Sequence, residues 1–479
     1  MREEKSKSMH WIDFTIIFGY MAVVLGVGVF FFRKQASVDE YFVGDRKMTV
    51  GHISFSVVAT DVGGGFSIGL GGLGFVMGLS GSWLLFTGLV GAWMAAIILI
   101  PKVKRLGDKF GFLTYPDYLE NRFDGKTRLL AAIVSGIGYA GFVGAQVLAG
   151  AKLGSAVFDI NLMLAVVVMA GVAVLYTSFG GIQAVIYTDS IQWMVLLCGL
   201  LFFAIPFGYV EVGGLAGMKE ALPESHFSLT NVSAGTLLTW AMTIIPIWFI
   251  GMTLYQRIYA AKDLKTAKRA WYLAGLLEYP LMAFMGVLLG MFGRVMFPDV
   301  ESEMALPMLI KEVLPIGLVG LVSAAYFSAI MSTADSCLIA SVGNIVNDLY
   351  QNYINPKASQ KKVLAISRWM TIIVGAASVA IALSVPKVLD SMLMAYAFMV
   401  SGLFAPTLGG LIWKRVSSIA ALWSIIIGGG LSIILNVFPK FNPFDDAILL
   451  ALPVSVVVLV VLSLIFPNQD KAKAEIADA

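Results

Sequence analysis

Ala59-Thr60-Asp61-Val62-Gly63-Gly64-Gly65 sits in the middle of an apolar stretch that runs from about residue 49 to 78. It sets a carboxylate and three consecutive glycines where a membrane-crossing helix would be deepest. Each glycine costs a helix about 1 kcal/mol relative to alanine, so the triple predicts a break. Non-helical backbone at membrane depth is tolerated only where it is buried in protein or lines a cavity, and carriers use such breaks to turn carbonyls and half-helix ends toward ions and solutes. The competing reading is that Gly63, Gly65 and the later Gly69, Gly71, Gly72 and Gly74 only let neighbouring helices approach closely.

The surrounding chain supplies the membrane setting. Of its 479 residues 58% are hydrophobic and 13% charged, well under the roughly one-quarter charged content of a soluble domain. The mean hydropathy is +0.85. Repeated apolar stretches of about 20 residues, the length a helix needs to cross a hydrocarbon core, predict an all-α membrane protein with about thirteen transmembrane helices. They fall near 11–32, 49–78, 82–101, 129–150, 161–179, 184–209, 235–256, 273–296, 316–342, 367–385, 390–413, 418–437 and 446–466. A strand barrel would show short alternating segments instead. The run from Trp11 to Phe32 follows Arg2, Lys5 and Lys7 but is too long for a signal peptide and ends in Arg33-Lys34, so it reads as a retained first span. Most Lys and Arg residues fall in alternate loops, which predicts a multi-pass inner-membrane protein with its N-terminus outside and its C-terminus in the cytoplasm. That placement, with a net charge of only +3, argues against a nucleic-acid surface. Cys198 and Cys337 both lie in apolar stretches and form no disulfide framework. No soluble domain is expected, and residues 1–479 read as one membrane domain.

A second unusual segment is Ala329-Ile330-Met331-Ser332-Thr333-Ala334-Asp335-Ser336. Residues three and four apart share a helix face, so Ala329, Ser332, Thr333 and Ser336 form an oxygen-bearing stripe suited to a hard cation. Such a stripe also serves as interhelical glue or bonds back to its own carbonyls. Asp335 favours function, since an ionisable group at membrane depth costs at least about 2.5 kcal/mol to insert. Asp189 is the third such carboxylate; near the inner end of its span, it also reads as an interfacial group reaching water. Glu278 and Asp390 lie close to predicted span ends and are assigned no role.

Together these residues resemble a family, the sodium:solute symporters, which includes bacterial proline and pantothenate carriers, sodium–glucose carriers and choline carriers. The resemblance rests on Glu40-Tyr41-Phe42-Val43-Gly44-Asp45-Arg46, Tyr115-Pro116-Asp117-Tyr118-Leu119-Glu120-Asn121-Arg122-Phe123, the Gly180 to Gln192 run, Gln256-Arg257-Ile258-Tyr259-Ala260-Ala261-Lys262, Met331-Ser332-Thr333, and Ala405-Pro406 through Lys414-Arg415. It implies a LeuT-type architecture of two inverted five-helix repeats, 49–209 and 235–413, with an extra N-terminal helix at 11–32 and two C-terminal helices at 418–466. It also implies a sodium ion held by backbone oxygens of Ala59, Val62 and Ala329 and by the Ser332 and Thr333 hydroxyls. A second ion site would map to Ser332, Asp335, Ser336 and Asp189, although Asp335 stands where two-sodium members have serine. The solute would lie against Asp61, Gly63, Gly64 and Gly65, with Tyr139, Gln146, Trp248, Met252 and Phe398 as neighbours. The kinship is expected to be with proline/pantothenate-type and choline-type carriers, because the glycine triple is choline-like and Gly251-Met252 replaces the Asp-Gln pair of sugar carriers, which argues against a hexose.

The function expected is sodium-coupled import of one small organic solute, an amino acid, a carboxylate or a choline-like molecule, by alternating access across the bilayer. No obligate protein partner is evident. The alternative is a sensor that keeps the carrier fold without net transport; such proteins append a signalling domain, and this chain stops shortly after Phe466. An enzyme is disfavoured, because His10, His52 and His226 share no spacing with a nucleophile–base motif. A channel is disfavoured too, since no ring of charges or repeated filter loop appears.

Overall fold

The computed structural model describes residues 9–34, 43–179 and 182–469. The quoted residues Glu40-Tyr41-Phe42 and Gly180-Gly181, and the basic residues Arg2, Lys5, Lys7, Lys471 and Lys473, lie outside this set. In chain order the helices are α1 (Trp11–Lys34), α2 (Val50–Asp61), α3 (Gly64–Met77), α4 (Trp83–Ile98), α5 (Ile100–Phe110), α6 (Tyr115–Arg122), α7 (Gly125–Phe158), α8 (Leu162–Phe179), α9 (Ile182–Gly199), α10 (Ile205–Glu211) and α11 (Gly214–Ala221). The second half holds α12 (Ala234–Ile250), α13 (Met252–Ala260), α14 (Leu264–Leu276), α15 (Ala283–Met296), α16 (Ala305–Val313), α17 (Leu318–Gly343), α18 (Gln360–Ser384), α19 (Val388–Ile412), α20 (Ser418–Val437) and α21 (Ile448–Ile465). No strand occurs among the described residues beyond one isolated bridge between Met48 and Ala261.

Several helices start where a short polar side chain accepts an otherwise orphaned backbone N–H. Asp124 accepts from Thr127 at the start of α7, Ser233 from Thr236 at α12, and Asp263 from Thr266 at α14. α17 forms the central column and is almost entirely buried, packed on α7, α9 and α1. Asp13 of α1 caps it, accepting the backbone N–H of Gly317 at 2.7 Å and of Gly320 at 2.9 Å. Outer helices turn large apolar side chains such as Trp369, Ile373, Ile433 and Val457 outward, as a lipid-facing surface requires.

The expected thirteen spans are corrected by the structure. Among the described residues nine helices are long and apolar enough to cross a membrane, or ten if α12 and α13, bent by 42°, count as one. Apolar stretches overstate the number because hydropathy ignores where a helix stops. The stretch 49–78 is cut into α2, 12 residues, and α3, 14 residues. The all-α, multi-pass character stands.

Candidate ion and solute site

α2 ends as the glycine triple demands. Val62 leaves helical geometry at φ −107°, ψ 44°, Gly63 is extended, and α3 restarts at Gly64. A helix end leaves its last carbonyls without intrahelical donors. One of them, Ala59 O, accepts the Thr333 hydroxyl of α17 at 2.9 Å. Thr333 also donates to Ala329 O at 3.1 Å, and the Ser332 hydroxyl donates to the same carbonyl at 3.0 Å. A Cβ added to Gly63 would sit 2.0 Å from Thr333 Oγ1, 2.6 Å from Ala59 O and 3.3 Å from Ala329 O. Three oxygens of the expected sodium set therefore converge on Gly63, which has no side chain to obstruct them. All are buried. Among the described residues no group of three His, Cys, Asp or Glu side chains could hold a metal, so carbonyls and hydroxyls are the hard donors at hand.

On the neighbouring face of α2 lies a second polar cluster, and it contains a cation of its own. Arg257 of α13 is fully buried. It donates from Nε to Ser56 at 2.9 Å, from Nη1 to Thr253 O at 3.0 Å, and from Nη2 to Thr60, to Asp189 Oδ2 at 3.1 Å and to Ser336 at 3.0 Å. Ser56 also donates to Asp189. Asp189 and Ser336, both expected around a second ion, thus meet around a guanidinium. Asp335 is turned toward α8, where Thr177 donates to it. Arg257 was visible as part of a quoted motif, but nothing local in the sequence announces its partners.

The residues expected around the solute divide into two groups. Asp61 is buried at the end of α2 and accepts a hydrogen bond from Tyr396 of α19 at 3.3 Å. Gln146 of α7 packs on the first turn of α3, its Oε1 2.4 Å from where a Gly65 Cβ would be. That oxygen has no hydrogen-bond donor. The others point elsewhere. Tyr139 exchanges hydrogen bonds with Thr253 at the second break, beside Gly251. Trp248 packs on Gly91 and edge-on against Trp271. Met252 Sδ accepts the Tyr115 backbone N–H, and Phe398 lies against Gly429 of α20.

Sequence reading missed Glu278. It lies in a widened turn, Leu277–Met282, between α14 and α15, fully buried, with its carboxyl facing that of Asp61. Neither Glu278 oxygen has a hydrogen-bond donor. The helical run containing it spans Leu264–Met296, 33 residues, which puts Glu278 near the middle. Lys265, Lys268 and Arg269 made the first turns too polar to be read as span, so the carboxylate looked peripheral. Tyr396, also missed, stacks on Phe142 at 4.8 Å, and Phe66 lies 6.3 Å from Tyr396.

A helix broken at its midpoint and closed by an oxygen-lined partner, inside an all-helical membrane protein, defines the class of ion-coupled membrane carriers. Residues 41–428 match the Sodium:solute symporter family, and the chain belongs to that family. It is similar to the sodium/myo-inositol cotransporter 2 of Oryctolagus cuniculus, 29% identical over 470 residues that cover 87% of this chain and 68% of that protein. It is also 26% identical to the sodium/glucose cotransporter 1 of the same species, over 87% of this chain and 70% of that protein. In fold it is similar to a Na+-coupled sialic acid symporter in a substrate-bound outward-open state, with TM-score 0.80, 21% identity, and coverage of 96% of this chain and 99% of that one. The protein is a sodium-coupled secondary active transporter of a small organic solute, and not an enzyme.

The expected kinship with proline/pantothenate-type and choline-type carriers is corrected by these relatives. The residues behind that expectation describe backbone geometry and carry no solute signature. Gly63 and Gly65 are small because Thr333 and Gln146 press on them. Gly251 is the bend between α12 and α13, and Met252 points to Tyr115.

Proposed function

We propose that the coupling sodium is held at the α2–α3 break by the backbone oxygens of Ala59, Val62 and Ala329 and the hydroxyls of Ser332 and Thr333, and that the solute binds beside it. The observation that carries this reading is the Thr333 hydroxyl joining the Ala59 and Ala329 carbonyls around Gly63. An ion there replaces a hydroxyl bond between α2 and α17 with coordination from both helices, and so couples their positions. The solute lies against Asp61 and Gly63 to Gly65, with Gln146, Glu278 and Tyr396 as its polar neighbours. Acceptor-rich surroundings with stacked aromatic rings suit a hydroxylated solute, in keeping with the inositol and glucose relatives. Arg257 takes the place of a second cation among Asp189 and Ser336, which favours one sodium per cycle in this conformation. Asp335 then keeps a local bond to Thr177.

Residues 49–209 and 235–413 act as two repeats, an arrangement supported by a broken leading helix in each, at Val62–Gly63 and at Gly251. The helix at 11–32 and those at 418–466 flank them. The chain resides in the inner membrane with its N-terminus outside and its C-terminus cytoplasmic, following the distribution of Lys and Arg. The deciding experiment is uptake into proteoliposomes with an imposed sodium gradient. Accumulation that needs sodium supports symport; uptake indifferent to exchanging sodium for potassium overturns it, and solute binding without any flux selects a sensor instead.

A further inference from the structure

The buried acids of this protein are almost all balanced. Asp189 has Arg257 at 3.1 Å, Asp348 has Arg128 at 2.6 Å, and Glu303 has Lys152 at 2.6 Å together with the N–H groups of Val388 and Leu389. Asp13 has two backbone donors. Asp335 has no cation and accepts only the Thr177 hydroxyl, its other oxygen being without a donor. Asp61 and Glu278 are the other exceptions. Their carboxyls face each other, Asp61 receives one hydroxyl from Tyr396, Glu278 receives no donor, and no ion pair reaches either among the described residues. Glu278 packs on Gly88, where an added Cβ would lie 2.6 Å from Glu278 Oε2.

Two abutting carboxyls away from water cannot both stay ionised unless a cation lies between them; otherwise they hold a proton in common. We propose that this cation arrives on the solute, as a protonated primary amine carried by a hydroxylated molecule. The inference rests on the symport reading above and narrows its solute class. Three acceptors lie at the break: the Asp61 carboxyl, with the Tyr396 hydroxyl as its one donor, and the Glu278 carboxyl and Gln146 Oε1, with none. A primary ammonium offers three N–H donors, a match that a quaternary ammonium or an anion cannot make. Asp61 stands at the C-terminal end of α2, where the helix dipole also favours a cation. Tyr396, which donates to Asp61, stacks on Phe142, and Phe66 is tilted against both; these rings add π faces that attract an ammonium.

The test is thermal unfolding of the purified full-length protein in sodium and in potassium, with matched pairs of probes. Glucosamine is set against glucose, aminodeoxy-inositol against myo-inositol, and N-acetylglucosamine serves as the neutral, bulkier control. In sodium, at least one amine is expected to reach half-saturation at a concentration about tenfold or more below its neutral partner, as charge-assisted hydrogen bonds imply. Glu278→Gln should erase that preference, and Glu278→Lys, which supplies the cation internally, should do the same. Equal or weaker binding of every amine in the wild-type protein overturns the inference whether or not the variants fold; this is also the result if the pair only shares a proton. Sodium-dependent stabilisation by neutral polyols alone would leave symport standing and remove the amine. If no probe stabilises the protein differently in sodium and in potassium, the amine site falls, and the proteoliposome gradient experiment then decides symport separately.

Discussion

Two acidic clusters flank the same short helix and differ in one respect. On one face of α2, Asp189 is met by Arg257, which also satisfies Ser56, Thr60 and Ser336. On the other, Asp61 faces Glu278 with only a tyrosine hydroxyl for company. Both are buried, yet the first holds a cation and the second does not. A cluster that holds its own counterion stabilises the contact between helices; one that lacks it is a place for something else to bind. The proposed sodium set differs from both, being built from carbonyls and hydroxyls without net charge.

The sharpest way to break this comparison is Arg257→Ala. Removing one partner of a buried pair leaves an uncompensated charge, so the variant should lose about 3–5 kcal/mol of stability, read as a fall in the unfolding midpoint in detergent. Wild-type stability in that variant would mean that the first cluster is not held by its guanidinium. Next comes Gly63→Ala. Its Cβ would overlap Thr333 Oγ1 at 2.0 Å and Ala59 O at 2.6 Å, so the break and α17 must separate at a strain of about 1–3 kcal/mol. Transport should then need far more sodium; an unchanged sodium titration would show that the convergence on Gly63 has no part in coupling. A smaller effect is expected from Ser332→Ala combined with Thr333→Ala, which removes hydroxyl bonds worth about 1 kcal/mol each and should raise the half-saturating sodium concentration severalfold in an uptake assay. The smallest is Phe398→Ala. Because that ring lies against Gly429 and not at the break, the solute's half-saturating concentration should move less than about twofold, within the spread of ordinary peripheral changes. A large shift would put Phe398 back beside the solute.

The break at residue 62 and the oxygen stripe at 329–336 were legible because both are local. Three glycines in sequence and hydroxyls at helical spacing report on the backbone that carries them, whatever they touch. The partners of each charge were not legible. Arg257 and Asp189 are 68 positions apart, and Tyr396 and Asp61 are 335 apart. Rotation about a helix axis was equally hidden: Tyr139, Trp248, Met252 and Phe398 lie on helices near the break, yet their side chains address other neighbours. Glu278 was lost for a different reason, since basic residues in the first turns of its helix displaced the apparent start of the span.

What the sequence determined alone is residence in a bilayer, a helix interrupted at residue 62, a hydroxylated helix at residue 332 and the symporter family. Hydropathy and helix propensity act over a few residues, so they survive in a one-dimensional reading. Only the tertiary structure decided which buried charges are neutralised and which are left open. Coulombic balance depends on distances between elements far apart in the chain, and a change of one helix face separates a paired carboxylate from an unpaired one.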